Sequence, residues 1–275
     1  MKLHWLFKLF AIVLFVFVGY YLYLDYYPVA EKTAFLMNTP VRIKVEGRGA
    51  PMMVRDSLAE IKKLDKLFNK YNPASEVARL NRASSEEPQE ISDETAQILA
   101  LSVRMKKETS GTFDIALGGQ DEFKNPIDLG GIAKGFAVDK VRALLLKRGA
   151  KSAIIDMRSS IGVIGSDEFE IGVQHPRQPE KLLGTVTLTD GQSLSTSGDY
   201  ERGKHILDPR TGRPADLCQS VTVIGPSAAE ADALSTAIFV LGPKAGLKLA
   251  DDFGVQVVIV DKEGKVHGNF SFKLR

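Results

Sequence analysis

The sequence has little cysteine, little histidine and little net charge, and each shortage closes a route. Cys218 is the one cysteine in 275 residues, so no internal disulfide can form. A lone cysteine can be a reactive thiol, but free cysteine is so often buried that a small packed side chain is the preferred reading. Lys and Arg number 36 against 34 Asp and Glu, a formal charge of +2, so no basic field points to nucleic acid. No zinc-finger, RRM or homeodomain pattern is present, nor a G-x-S-x-G elbow, an HExxH helix, an EF-hand loop, a Walker A or a GxGxxG loop. There is no internal repeat or low-complexity tract. What is present is ordinary globular composition, 44% hydrophobic and 25% charged. This length can bury a substantial core without disulfides or structural zinc.

One long hydrophobic run stands out. Trp5 to Leu24 reads WLFKLFAIVLFVFVGYYLYL, apolar or aromatic apart from Lys8. As a helix it would span about 30 Å, the thickness of a bilayer core. Lys2 and Lys8 precede the run and Asp25 follows it, so the positive-inside rule places the N-terminus in the cytoplasm and residues 26–275 outside. Tyr20, Tyr21, Tyr23, Tyr26 and Tyr27 suit the outer interface. A cleaved signal peptide is the rival; length, and the poor match of Pro28-Val29-Ala30 to a small-x-small site, favour an uncleaved anchor over 1–27. Residues 28–36 are expected to be a linker and 37–275 the exported domain.

Along that domain, Thr39–Glu46 alternates as a strand does. Met52–Tyr71 and Asp93–Thr109 carry apolar residues at helical spacing, and Ser75 is a candidate N-cap for Ser75–Asn81. Polar loops are expected over 83–90 and 118–126. A helix is expected over Phe136–Arg148. Strands are expected within Ala153–Ile164 and over Phe169–Val173, Leu183–Leu188, Gln219–Ile224 and Val255–Val260. Two more helices follow Ser227 and Pro243, and Ser193–Ser197 reads only as short and polar. Helices lie between groups of strands, which makes the class α+β.

Three segments could carry chemistry. Asp128–Gly135, DLGGIAKG, places glycines and Lys134 before a helix, which suits a phosphate as well as it suits a packing turn. His205 precedes Asp208-Pro209-Arg210-Thr211-Gly212, joining a possible general base to a carboxylate and a tight turn; a turn histidine without a role fits the spacing equally. Asp232, Ser235 and Thr236 stand at i, i+3 and i+4, so one helical face offers a carboxylate and two hydroxyls. Oxygen donors suit magnesium or calcium, although such a face can also be merely solvated.

Taken together and in order, these segments resemble the ApbE family of FAD:protein FMN transferases. MNTPVRI at 37–43, FNKYNPASEVARLN at 68–81, TFDIALG at 112–118, DLGGIAKGFAVD at 128–139, STSGDYERG at 195–203, HILDPRTGRP at 205–214 and ADALSTAIFVLG at 231–242 all fit the family pattern. The resemblance implies a single α+β domain, related to the T-fold, that holds FAD with Mg²⁺. It implies flavin-nucleotide contacts from Met37, Tyr71, Thr112, Phe113, Asp114, Asp128, Lys134 and Val221, with Tyr71 over the isoalloxazine ring. It implies metal ligands Asp232, Ser235 and Thr236 with the Gly131 carbonyl. His205 would be the base, with Asp208 orienting it or, as favoured, holding the turn.

The implied reaction moves FMN from FAD to a threonine or serine of an acceptor flavoprotein on the periplasmic side. Subunits of Rnf-type or Na⁺-translocating NADH:quinone oxidoreductase complexes, or related FMN-binding domains, are the expected acceptors. Two departures are visible. Asp156-Met157-Arg158-Ser159-Ser160 stands where the family has a Gly-Gly-Asp/Asn turn, and the stretch 119–127 is short. Both bear on FAD affinity and acceptor choice, and by disabling chemistry they would leave a flavin-binding protein without turnover. The other alternative, a metal-dependent FAD pyrophosphatase, uses the same residues with water replacing the acceptor hydroxyl.

Overall fold

Strand β2 (Thr39–Glu46) alternates strictly, with Val41, Ile43 and Val45 buried and the residues between them exposed, as expected for a sheet with one face on a core. The chain is seen in a computed structural model that describes residues 8, 11–17, 28–83, 89–116, 126–200, 203, 205–271 and 273–274. The expected linker over 28–36 is instead β1 (Val29–Leu36), which pairs antiparallel with β2 along its whole length. Its side chains are mostly exposed, because it is an edge strand, and so the apolar alternation that announces a buried strand is weak. The two-residue turn between them, Met37 and Asn38, has both φ values positive, 49° and 59°, the geometry of a tight hairpin.

Helix α1 (Ala50–Phe68) follows, then the short α2 (Glu76–Leu80), capped by Ser75 as expected, α3 (Asp93–Glu108) and α4 (Ala133–Lys147). Strands β3 (Ser152–Asp156) and β4 (Ser160–Ile164) form a hairpin. β5 (Phe169–Gln174) and β6 (Leu182–Leu188) form another. Then come β7 (Ser193–Gly198), the two-residue strands β8 (Leu207–Asp208) and β9 (Arg213–Pro214), β10 (Cys218–Gly225), helix α5 (Ala228–Asp252), β11 (Gln256–Asp261), β12 (Val266–Gly268) and β13 (Lys273–Leu274).

An eight-stranded antiparallel sheet runs β1-β2-β3-β4-β7-β10-β11-β12, with β13-β6-β5 as a separate small sheet and β8-β9 as a ribbon. Helices α1, α4 and α5 cover one face of the large sheet and make the main core with it. The small sheet covers part of the other face, where Ile171, Val173, Val186 and Leu188 meet Ile154, Ile161, Val163 and Leu194. Strand β4 is therefore buried along its whole length and β10 along all of it but Gln219, the polar residues Ser160, Ser220 and Thr222 included. The class is α+β, as expected.

Strand β7 shows why SLSTSG looked only polar. It is a central strand whose hydroxyls are satisfied inside the fold: Ser195 donates to the Ser160 hydroxyl (3.0 Å), Thr196 bonds Thr222 (2.9 Å) and Ser197 bonds Ser235 (2.8 Å). Helix α5 breaks at Gly242 (φ 76°) before Pro243, matching the two helices expected there. By length and composition α5 could cross a membrane, but it is mostly buried in the core. The expected anchor falls largely outside the described residues; 11–17 are helical and expose Ile12, Phe15 and Phe17. The expected loops over 83–90 and 118–126 also lie mainly outside them.

Candidate active site

The N-termini of α4 and α5 touch. A Cβ added at Gly135 would lie 2.1 Å from the Ala228 carbonyl oxygen, so only glycine fits there. Asp139 caps the start of α5 from the neighbouring helix, accepting from the Ser227 hydroxyl (2.8 Å) and from the backbone N–H groups of Ala228 and Ala229 (3.0 Å each). This contact brings the DLGGIAKG loop against the oxygen-bearing face of α5. The Gly135 N–H donates to the Asp232 carboxylate (3.0 Å), and a Cβ at Gly131 would sit 3.2 Å from Thr236 Oγ1.

A cavity of about 1550 Å³ opens beside that junction. Met37, Tyr71, Thr112, Phe113, Asp114, Asp128, Gly131, Lys134, His205, Asp232 and Thr236, all singled out in the sequence, line it. Three predicted residues do not. Val221 is fully buried, because β10 is a central strand and its side chain belongs to the main core. Ser235 is fully buried behind the wall, donating to the Asp232 carbonyl (2.9 Å) and bonding Ser197. Asp208 is engaged within its own turn: its carboxylate accepts from the Arg210 backbone (2.9 Å) and guanidinium (2.9 and 2.8 Å), while its carbonyl accepts from Thr211 and Gly212. It holds the turn. The Arg210 guanidinium keeps its carboxyl below the usual aspartate range.

The Asp128 loop is anchored from several directions. Lys70 pairs with the Asp128 carboxylate at 2.6 Å, and the carboxylate also accepts from Gly130 N–H (2.9 Å). Asn81 clamps Ile127 by bonding both its N–H (2.7 Å) and its carbonyl (3.0 Å). Asn81 and Lys70 were not singled out as site residues. Asp114 pairs with Lys106 (3.1 Å) and caps the Ala116 N–H, so its side chain shapes the Thr112–Asp114 wall. Tyr71 is 84% exposed at the rim, with the Lys70 ammonium 5.1 Å from its ring centre.

The electrostatics centre on Asp232. Its side chain is 3% exposed, and burial pushes its carboxyl above the usual range, against the opposing field of Lys134 and the Gly135 N–H bond. A carboxylate buried this way is stabilised by a cation. The donors around it are all oxygens. Ser197, also absent from the sequence-based site, bonds Thr236 Oγ1 at 3.1 Å and lines the cavity. Among the described residues no group of three or more His, Cys, Asp or Glu could hold a metal; oxygen donors of the kind found here are those that hard cations take.

His205 is exposed on the cavity wall. Its Nδ1 lies 2.9 Å from the Gly203 carbonyl. A carbonyl only accepts, so Nδ1–H is the donor here, and in the neutral ring Nε2 is the nitrogen that can accept a proton. The Arg158 departure also faces the cavity. Arg158 has φ 67°, the left-handed region that glycine takes freely, and its N–H bonds Asp156 (2.8 Å). The neighbouring Ser159 Oγ is buried with no hydrogen-bond partner among the described residues. Cys218 is buried and pushed up to about 12, so it is a packed side chain and no nucleophile.

The ApbE family model matches residues 37–124 and 120–259. The FAD:protein FMN transferase of Escherichia coli K12 is 26% identical over 259 residues, covering 73% of this chain and 74% of that protein. A Klebsiella pneumoniae FAD:protein FMN transferase is 40% identical over 130 residues, 44% of this chain and 40% of its own. Among solved structures, the ApbE protein of Thermotoga maritima superposes with a TM-score of 0.78 at 27% identity, covering 87% of this chain and 96% of that one. The flavin transferase ApbE of Vibrio cholerae superposes at 0.77 with 22% identity, covering 89% and 97%.

Proposed function

The chain belongs to the ApbE family, and we propose that it is an FAD:protein FMN transferase, moving FMN from FAD to a threonine or serine hydroxyl of an acceptor protein and releasing AMP. The observation that supports this most is the junction of the Asp128 loop with the Asp232 face of α5 at one cavity, which His205 also lines. The chemistry is a displacement at phosphorus. The acceptor oxygen bonds to the FMN phosphorus, the bond from that phosphorus to the AMP oxygen breaks, and His205 Nε2 takes the hydroxyl proton.

Each wall has a task in this reading. The N-terminus of α4 and Lys134 face the pyrophosphate. The clamped Asp128 loop fixes its position, and Tyr71 at the rim covers the isoalloxazine ring. Asp232 and Thr236, with the Gly131 carbonyl, would hold Mg²⁺, Ser235 supporting them from behind. Bound there, the ion would neutralise charge on the phosphate oxygens. Arg158 and Ser159 add a cation and an unpartnered hydroxyl to the same cavity.

The acceptors we infer are periplasmic FMN-binding domains of the Rnf or Na⁺-translocating NADH:quinone oxidoreductase kind. The apolar run at 5–24 would anchor the enzyme to the membrane that carries them, which raises the effective concentration of each for the other. The test is mass spectrometry of such a domain after incubation with the protein, FAD and Mg²⁺. An adduct of FMN mass on a threonine is expected. Free FMN and AMP without an adduct would make the protein a pyrophosphatase, and unchanged FAD would make it a binder.

A further inference from the structure

Five consecutive residues of β5, Glu170 to Gln174, line the cavity that holds His205 and Asp232. Side chains alternate along a strand. Ile171 and Val173 accordingly point into the second core, while Glu170 and Gly172 are exposed on the opposite side. A strand meets one cavity with residues from both faces only by presenting its edge. That edge is unpaired among the described residues, since the small sheet runs β13-β6-β5 and β5 bonds only β6.

Open edges are usually blunted by charge, proline or brevity. The two outermost strands of the large sheet follow that rule, β1 with Glu31 and Lys32 and β12 with its three-residue length. Strand β5 does not: FEIGVQ has one charge, no proline and a central glycine. An edge of that kind is an aggregation hazard unless something uses it. The cavity beside it, about 1550 Å³, also exceeds the roughly 300–1,000 Å³ of ordinary small-molecule pockets. A dinucleotide leaves room there for a second occupant.

We propose that β5 is the acceptor-docking edge: an extended segment of the acceptor protein adds to it as a fourth strand of the small sheet and so carries its hydroxyl into the cavity. Main-chain hydrogen bonds supply the recognition, so the partner is selected for an extended backbone and a small hydroxyl side chain. The Arg177 guanidinium, just beyond β5, grips the Asp199 carboxylate at the end of β7 with two bonds of 2.6 and 2.8 Å. This pair holds the docking edge in fixed relation to Ser197 and the Asp232 centre.

The inference rests on the transfer reading, and one experiment separates the two. Hydrogen–deuterium exchange of residues 169–174 is followed in the full chain saturated with FAD and Mg²⁺, alone and with an FMN-binding domain whose target threonine is replaced by alanine. Docking as a strand predicts exchange of β5 amides slowed by about tenfold or more only when the domain is added. In parallel, the unaltered domain is scored for FMN adduct. Adduct formation with unchanged β5 exchange overturns the docking edge and leaves the transferase standing. No adduct on the unaltered domain overturns the transfer reading itself.

Discussion

The Asp128 loop and the Asp208 turn are built on the same local bond, a carboxylate accepting the N–H two residues on, at 2.9 Å in each. They differ in what takes the rest of the carboxylate. Asp128 is met by Lys70, 58 positions away, and the residue before it is clamped by Asn81. Asp208 is met by Arg210, two positions away, on a two-stranded ribbon. The first loop is a piece of tertiary structure and can hold a phosphate in place. The second is self-contained, and it carries His205 on its exposed N-terminal side. The proposed binding wall and the proposed catalytic base thus sit on differently anchored loops, and substitutions should separate them.

The largest effect is expected on the turn side. His205→Ala should lower the FMN transfer rate by about 10³-fold, within the range for a lost general base, while FAD affinity measured by fluorescence stays unchanged. A parallel loss of FAD affinity would place His205 in the binding wall and break the comparison. On the anchored side, Gly135→Ala drives a methyl into the Ala228 carbonyl. It should cost about 3 kcal/mol of stability, read as a large fall in denaturation midpoint. Asn81→Ala removes both bonds to Ile127 and should cost about 2 kcal/mol, raising KM for FAD more than it lowers kcat.

The smallest effect belongs to Asp208→Asn. The Asp208 carboxyl is held below its unfolded value by Arg210, so its stabilisation is present above the usual aspartate range and is lost as pH falls through the lower folded value. The variant should be about 1 kcal/mol or less weaker at neutral pH, and the difference should vanish in strong acid. A stability gap that persists in acid would show that the turn does not depend on this charge.

The same contrast explains what the sequence made legible. Self-contained features could be read directly: the Ser75 cap, the β2 alternation, the Asp208 turn, the break at Gly242. The i, i+3, i+4 spacing put Asp232 and Thr236 on one face, and both line the cavity; Ser235 does not, its hydroxyl being engaged by Ser197 and the Asp232 carbonyl. Features set by distant partners could not be read. Nothing local marks Lys70 or Asn81 as supports of Asp128. The stretch holding Ser197 read only as short and polar because β7 is a central strand bonded to β4 and β10 that carries mostly hydroxyl side chains. β1 hid because an edge strand exposes most of its side chains. The family pattern gave the identity of the loops, but not the burial of Val221.

The account depends most on Asp232 joining the metal and the dinucleotide phosphates in one place. Calorimetric FAD binding, with and without Mg²⁺, in the unaltered chain and in Asp232→Asn tests that directly. Coupling in the range of about 5–150-fold is expected for the unaltered chain and none for the variant. Equal Mg²⁺ dependence in both would contradict the account.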